Sequence, residues 1–127
     1  MKKVLRFTTI IVILAVFSSC SSKLTGTWKI ASYEEGVVGE PSVTMTNIGS
    51  ITFEKNGSGT KAVTFSLMGA AMEDNEPFTW KQAGIRVLIE GGESELSKAW
   101  VISSKKKGSQ TWHSTENNKV QTLILIK

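Results

Sequence analysis

The stretch ITFEKNGSGT, residues 51–60, carries the strongest local structural signal in this chain of 127 residues. Ile51 and Phe53 alternate with polar neighbours, and a period of two is typical of a strand with one buried face. Asn56 and Gly57 follow, and an Asn-Gly pair favours a tight hairpin because both residues adopt positive φ at low cost. The stretch therefore predicts two antiparallel strands joined by a short turn.

Short segments of the same kind, separated by turn residues, continue on both sides of this hairpin. The predicted strands are 26–33, 48–54, 60–67, 78–81, 85–90, 98–104, 109–114 and 120–126, and 43–46 can extend the second. Such a series predicts a small all-β fold, an eight-stranded antiparallel up-and-down barrel without substantial helix, because closure pairs the edges that an open sheet exposes. The segment 68–77 has no strand pattern and is expected to be a loop with at most one helical turn, which makes it a candidate lid.

The beginning of the chain has the layout of a secretory signal peptide. Basic residues within 1–6 precede an apolar run at 7–17. That run is too short to remain as a membrane span, since a spanning helix needs roughly 20 apolar residues. The sequence FSSC at 17–20 resembles the lipobox at which bacterial lipoproteins are lipidated and cleaved. We therefore expect a membrane anchor, made of acyl chains such as palmitate, on Cys20.

The expected organisation is a signal peptide at 1–19, a lipidated tether at 20–23 and one domain at 24–127. Cys20 is the only cysteine, so the domain has no internal disulfide and depends on burial for its stability. About 100 residues are enough for one domain and too few for two. We expect the mature protein to be a monomer.

The net charge of the chain falls once the predicted signal peptide is removed. From Cys20 onward there are 12 basic and 11 acidic residues, so the expected mature net charge is only +1. This balance gives no support for a nucleic-acid partner. The basic run 105–107 precedes Gly108 between two predicted strands and is most simply a solvated hairpin tip.

Four motifs, taken in their order and spacing, point to a known family. They are LTGTWKI at 24–30, the hairpin at 51–60, FTW at 78–80 and LIL at 123–125. Together they resemble the lipocalin-like domain lipoproteins of the Bacteroidetes type, over the whole mature chain. The resemblance implies an eight-stranded barrel that holds a small apolar ligand, with Trp28 packed across the closed end.

The resemblance also bears on location. In lipoproteins of this bacterial group, acidic residues soon after the lipidated cysteine resemble a signal for display on the cell surface. Here Ser21, Ser22 and Lys23 follow Cys20 instead. We therefore expect attachment to the periplasmic face of the outer membrane.

Residue types that support catalysis or metal binding are scarce. His113 is the only histidine, and no Gly-x-Ser-x-Gly motif is present, so we expect no enzyme activity and no cofactor. One histidine cannot build a zinc centre, and the acidic segment 73–76 lacks the spacing of a calcium loop, so no metal site is predicted. The acidic segment is expected to be solvated. His113 alternates with Trp112 and is expected at the surface.

Aromatic residues supply the candidate binding site. Those predicted to face the interior, and to contact a ligand there, are Trp28, Phe53, Phe65, Trp80 and Trp100. An eight-stranded barrel is just wide enough to be filled by side chains or to hold one small ligand. The sequence therefore leaves two functions open. One is binding of a small apolar or amphipathic ligand; the other is an envelope interaction or inhibitor protein with a filled barrel.

The second function predicts apolar residues that are exposed on loops, because a protein partner needs a contact surface. Val37 with Val38, and Leu67 with Met68, are the candidates for such exposed tips.

Overall fold

The computed structural model describes residues 24–67 and 69–127, so the predicted signal peptide and the Cys20 tether lie outside the described residues. The strands are β1 Gly26–Val37, β2 Val43–Phe53, β3 Ser58–Leu67, β4 Ala70–Asp74, β5 Phe78–Ala83, β6 Arg86–Glu90, β7 Ala99–Lys106, β8 Ser109–Glu116 and β9 Lys119–Ile126. Within the described ranges, no helix has the length and apolar character needed to cross a bilayer.

Antiparallel pairing of neighbouring strands closes these elements into a barrel. Strands β4 and β5 both pair with the edge of β3 that faces away from β2, and they keep one register: Val63 lies opposite Asp74, and Gly59 lies opposite Phe78. The two short strands therefore occupy a single position in the barrel wall. β9 pairs with β1 and completes the ring. This confirms the predicted eight-stranded antiparallel barrel.

The prediction for 68–77 was wrong, because this segment contains β4. Residues Ala70–Asp74 form a hairpin with β3 in which Leu67 lies opposite Ala70. The residues of β4 have weak strand propensity, so the pairing is decided by the free edge of β3, which only the tertiary structure supplies. The prediction that the second strand extends back to Val43 is confirmed.

The antiparallel order defines two ends of the barrel. At the N-terminal end lie the start of β1 and the β2–β3, β5–β6 and β7–β8 turns; at the opposite end lie the β1–β2, β3–β4, β6–β7 and β8–β9 turns. Aromatic side chains fill the interior between them. Phe53, the last residue of β2, lies among three of them, with ring centroids 5.5 Å from Phe78, 5.3 Å from Trp80 and 5.8 Å from Trp112.

Two buried leucines precede strands at the two ends. Leu24 precedes β1 at the N-terminal end, and Leu96 precedes β7 at the opposite end. Each accepts a hydrogen bond on its carbonyl oxygen from the indole four residues later: Trp28 Nε1 at 2.9 Å and Trp100 Nε1 at 3.0 Å. Both buried indole groups are therefore satisfied by local backbone, as buried polar groups require.

Candidate functional site

A cleft opens in the barrel wall between β2 and β3. These strands pair only from Gly49, opposite Val63, to Phe53, opposite Gly59. Towards the opposite end they diverge and leave a cleft of about 580 Å³. Its walls are Met45, Thr46, Asn47, Ile48 and Gly49 from β2, and Ala62, Thr64 and Ser66 from β3.

The divergence begins at Gly49, where the two backbones approach closely. Gly49 has φ 146°, and a Cβ built on it would lie 1.9 Å from the carbonyl oxygen of Ala62. Only glycine fits such an approach. On the other side of β2, the pairing with β1 shifts register between Ile30 and Ser32, and Asn47 has φ 52°. A bulge of this kind bends its strand, which accounts for the separation of β2 from β3.

The strand next to the cleft carries a buried tyrosine whose hydroxyl group has no hydrogen-bond partner in the described part of the chain. Tyr33 is the strand partner of Met45, which lines the cleft, and its ring lies edge-on to Phe65 with 5.4 Å between centroids. Among the described residues, Tyr33 Oη has no hydrogen-bond partner. Burial raises the pKa of Tyr33 well above its ordinary value, and the charges of Glu35 and Glu95 raise it further. The hydroxyl group therefore stays protonated and can donate a hydrogen bond.

A buried ion pair joins β3, β4 and the β6–β7 loop. Lys61 Nζ donates to Asp74 Oδ1 at 2.7 Å, and the Lys61 side chain has 0% exposure. Ser94 Oγ donates to the second Asp74 oxygen. Burial alone would raise the pKa of Asp74, but the hydrogen bonds from Lys61 and Ser94 and the Lys61 charge outweigh burial and lower it. Asp74 is therefore ionised at neutral pH and holds the β6–β7 loop against the barrel.

The five aromatic residues predicted from the sequence are all buried in one core. The indole groups of Trp28 and Trp100 donate hydrogen bonds to the carbonyl oxygens of Leu24 and Leu96 respectively. Trp80 Nε1 donates to the carbonyl oxygens of Glu54 and Ser58. None of the five lines the described cleft. Phe65 lies between the lining residues Thr64 and Ser66 in the chain, but it is on the buried face of β3, whereas they are exposed. Their contact with a ligand stays a prediction.

Two other predictions concern the exposure of His113 and of the acidic segment 73–76. Trp112 is fully buried, and His113 is directed to the outer wall, where its Nδ1 lies 3.0 Å from Thr122 Oγ1. The prediction that the acidic segment 73–76 is solvated was wrong for Asp74, which belongs to the buried ion pair. In the described part of the chain, no three acidic, histidine or cysteine residues are grouped to hold a metal ion.

Comparison with known proteins identifies the family. The family profile for the lipocalin-like domain matches residues 24–107. The chain belongs to the lipocalin-like domain family. A solved lipocalin-like protein from Bacteroides uniformis has a similar fold, with a TM-score of 0.54 and 15% sequence identity, covering 82% of this chain and 97% of that protein. A search of curated proteins finds no match. The resemblance drawn from the four motifs is therefore confirmed.

Sequence reasoning missed two features of this lipocalin-like barrel. Lys61 has the same strand parity as Val63 and Phe65, so alternation alone places it on the inner face. The spacing Leu-x-x-x-Trp occurs at 24–28 and again at 96–100, and this repeat marks both buried leucines. The alternation that includes Lys61 and the Leu-x-x-x-Trp repeat were both visible in the sequence. The pairing of Lys61 with Asp74, and the position of each leucine at one end of the barrel, were not.

Proposed function

We propose that this lipocalin-like protein is a lipoprotein of the outer membrane, anchored by a lipid on Cys20 on the periplasmic side, that binds a small apolar or amphipathic ligand. We further propose that the ligand enters through the cleft between β2 and β3. The observation that supports this is the cleft of about 580 Å³, which is lined by Met45, the strand partner of Tyr33; the buried Tyr33 hydroxyl group has no hydrogen-bond partner among the described residues.

The size and lining of the cleft suit a small amphipathic molecule. Ligand sites in proteins commonly measure roughly 300–1,000 Å³ and combine apolar walls with a few polar groups. Met45 and Ile48 supply apolar surface, while Thr64 and Ser66 supply hydroxyl groups on the facing strand. A buried hydroxyl group without a partner carries a desolvation cost that a bound polar group would relieve. Tyr33 is therefore the proposed polar contact of the ligand.

The proposed lipid anchor is consistent with the proposed class of ligand. A lipid on Cys20 would keep the barrel beside a membrane, and apolar or amphipathic molecules concentrate there. We propose a binding role without catalysis, in keeping with the scarcity of nucleophilic and acid-base residues in the sequence.

The first test is native mass spectrometry of the full chain, purified gently from envelope extract, together with tryptophan fluorescence titrations of fatty acids on the soluble chain from Ser21. We expect a bound small molecule or a saturable fluorescence change. Thr64→Phe, which fills the cleft, should abolish binding. Thr60→Phe is the matched control, because Thr60 is exposed on the same strand and does not line the cleft.

An empty barrel that responds to none of the probes would contradict the ligand proposal. Equal binding by both phenylalanine variants would place the ligand elsewhere in the barrel, with Trp80→Ala as the next variant. Lipidation is tested separately, by radiolabelled palmitate incorporation into the full chain and its loss in Cys20→Ala.

An interaction role is the second candidate, and exposed valines favour it. Val38 is 81% exposed and Val43 is 53% exposed, both beside the β1–β2 turn at the opposite end. Met68 and the side chain of Leu67 lie outside the described part of the chain. A protein partner should be cross-linked by the wild type and lost in Val38→Ser/Val43→Ser, with fatty-acid binding unchanged in that variant.

A further inference from the structure

The two ends of the barrel carry opposite charge, although the mature chain is almost neutral. Basic residues gather on or beside the turns of the N-terminal end: Lys55, Arg86, Lys105, Lys106, Lys107 and Lys127. Glu54 is the acidic residue on those turns, and it accepts a hydrogen bond from Ser58 Oγ at 2.8 Å. Within residues 24–67 and 69–127, none of these six cations forms an ion pair.

The opposite end has the reverse balance. Acidic residues lie on or beside its turns: Glu40, Glu90, Glu93, Glu95 and Glu116. Two lysines at this end each form an ion pair with a glutamate. Lys98 Nζ lies 3.9 Å from Glu116 Oε2, and Lys119 Nζ lies 3.7 Å from Glu35 Oε1. The strand order thus converts a balanced sequence into a barrel with one positive and one negative end.

Apolar side chains accompany the cations at the N-terminal end. Ile85 is 57% exposed in the β5–β6 turn, and Ile126 is 43% exposed at the end of β9. Lys127 adds rigidity there, because its Nζ donates to the carbonyl oxygen of Thr25 at 2.9 Å and lies 5.0 Å from the centroid of the Trp28 ring. Cations mixed with exposed apolar groups are typical of surfaces that bind lipid headgroups and insert slightly below them.

We propose that the N-terminal end of the barrel is a docking surface for a phospholipid membrane that carries anionic headgroups. The six cations supply the attraction, and Ile85 and Ile126 contact the interface. The acidic end then faces away from the membrane, and the β2–β3 cleft, which lies in the half of the wall towards that end, stays uncovered.

The position of the surface rests in part on the proposed anchor. Only three residues separate Cys20 from Leu24, which is buried at this end. A fully extended chain of that length spans at most about 14 Å. A lipid on Cys20 would therefore hold this end of the barrel within about 14 Å of the headgroups, which is less than two Debye lengths of about 8 Å each at physiological salt.

The test uses unlipidated protein, so that failure of the anchor and failure of this surface are distinguishable. Every described strand and core residue lies after residue 23, so the chain from Ser21 contains the whole barrel. We expect it to sediment with phosphatidylcholine vesicles that contain about 30% phosphatidylglycerol and not with pure phosphatidylcholine. Binding should be lost at roughly 0.5 M salt, where screening is strong.

Variants separate a docking surface from a simple effect of net charge. Lys105→Gln/Lys106→Gln/Lys107→Gln should lower the partition coefficient about tenfold or more, since each basic residue near an anionic surface adds favourable free energy. Glu93→Gln/Glu95→Gln/Glu116→Gln changes the net charge by the same amount at the acidic end, in the direction that favours anionic vesicles. It should leave the partition coefficient within about twofold, because those residues lie beyond the screened field of the membrane.

The orientation is tested with a polarity-sensitive dye. The chain from Ser21 has no cysteine, so Ile85→Cys and Val38→Cys each place one label, at the N-terminal and the opposite end respectively. Anionic vesicles should shift the emission of the label at 85 to the blue and leave the label at 38 unchanged. Equal shifts at both positions, equal binding to neutral and anionic vesicles, or no binding to either, would overturn the proposal. No palmitate labelling of the unaltered full chain, with vesicle binding of the chain from Ser21 intact, would count against the anchor alone.

Discussion

Lys61 Nζ lies 2.7 Å from Asp74 Oδ1 inside the barrel wall, and no part of the Lys61 side chain is exposed. The pair connects β3 to β4, and through Ser94 it also connects both strands to the β6–β7 loop. Burying two charges costs hydration free energy that their attraction must offset, so such a pair is sensitive to the loss of one partner. It ties the one strand that the sequence did not predict, β4, to the rest of the barrel.

Lys61→Met should therefore lower the free energy of unfolding by about 3 kcal/mol, because it leaves the Asp74 carboxylate without its counter-ion. The double variant Lys61→Met/Asp74→Asn should be more stable than Lys61→Met alone, since the uncompensated charge is gone. Urea unfolding followed by tryptophan fluorescence measures both. Lys81→Met, at an exposed position on β5, is the control and should change stability by less than about 0.5 kcal/mol. Strictly additive effects of the two buried substitutions would contradict the pair.

The lowered pKa of Asp74 predicts an acid-sensitive contribution to stability. The unfolded chain has an aspartate pKa of about 3.9, and the folded pKa lies below it. The contribution is therefore fully present above about pH 5 and is lost as pH falls through the folded pKa. The stability difference between wild type and Asp74→Asn should be constant from pH 5 to 8 and shrink below about pH 4. A difference that grows on acidification would show that the sign of the shift is wrong.

The close approach at Gly49 predicts a large penalty for a methyl group. Gly49→Ala should destabilise the barrel by roughly 3 kcal/mol, since the new Cβ meets the Ala62 carbonyl oxygen and forces β2 and β3 apart. Gly39→Ala is the matched control, because Gly39 also has positive φ (88°) but has no atom within 4 Å of the added Cβ. That control measures the backbone strain alone, about 1 kcal/mol. Thermal unfolding of both variants gives the comparison; equal losses would remove the steric explanation.

The Tyr33 hydroxyl group, which has no partner among the residues that the structure describes, leads us to expect opposite effects of its removal on stability and on ligand binding. Tyr33→Phe should stabilise the ligand-free protein by about 1 kcal/mol, because it removes a buried polar atom that has no partner in the described structure. It should weaken the proposed ligand about tenfold, because a hydrogen bond to that ligand is lost. Thermal unfolding and fluorescence titration of one preparation measure both effects. Unchanged affinity would exclude Tyr33 as a ligand contact while leaving the cleft open to test.

Replacing Leu96, the buried leucine at the opposite end, should lower the free energy of unfolding. Leu96→Ala should cost about 2–5 kcal/mol, as for other fully buried leucines, although Leu96 lies in a loop between strands. Leu88→Ala is the control, because Leu88 is partly exposed on β6 and should cost less than about 1 kcal/mol. Chemical denaturation measures the difference. A small effect of Leu96→Ala would mean that the β6–β7 loop is not part of the core.

The strands that the sequence predicted well are those with strict alternation and strong turn residues. The 51–60 hairpin formed around Asn56 and Gly57, and Trp112 took the buried face while His113 took the outer one. The failures share one cause. The β4 segment Ala70–Asp74 has no strand pattern of its own and is ordered by the free edge of β3. The cleft depends on where β2 leaves β3, and that point is set by the close approach of Gly49 to Ala62 and by the bulge against β1, which are contacts between strands and leave no local pattern.

The sequence by itself determined the alternation, the turns and therefore the all-β barrel, because these depend on neighbours within a few residues. It also contained the family motifs and the FSSC motif from which the lipid anchor at Cys20 is proposed. Only the tertiary structure decided which polar groups meet, as in Lys61 with Asp74, and which have no partner within residues 24–67 and 69–127, as in Tyr33. The same holds for charge. A net charge near zero is a property of composition, whereas the separation of basic and acidic ends arises because antiparallel strands return alternate turns to the same end of the barrel.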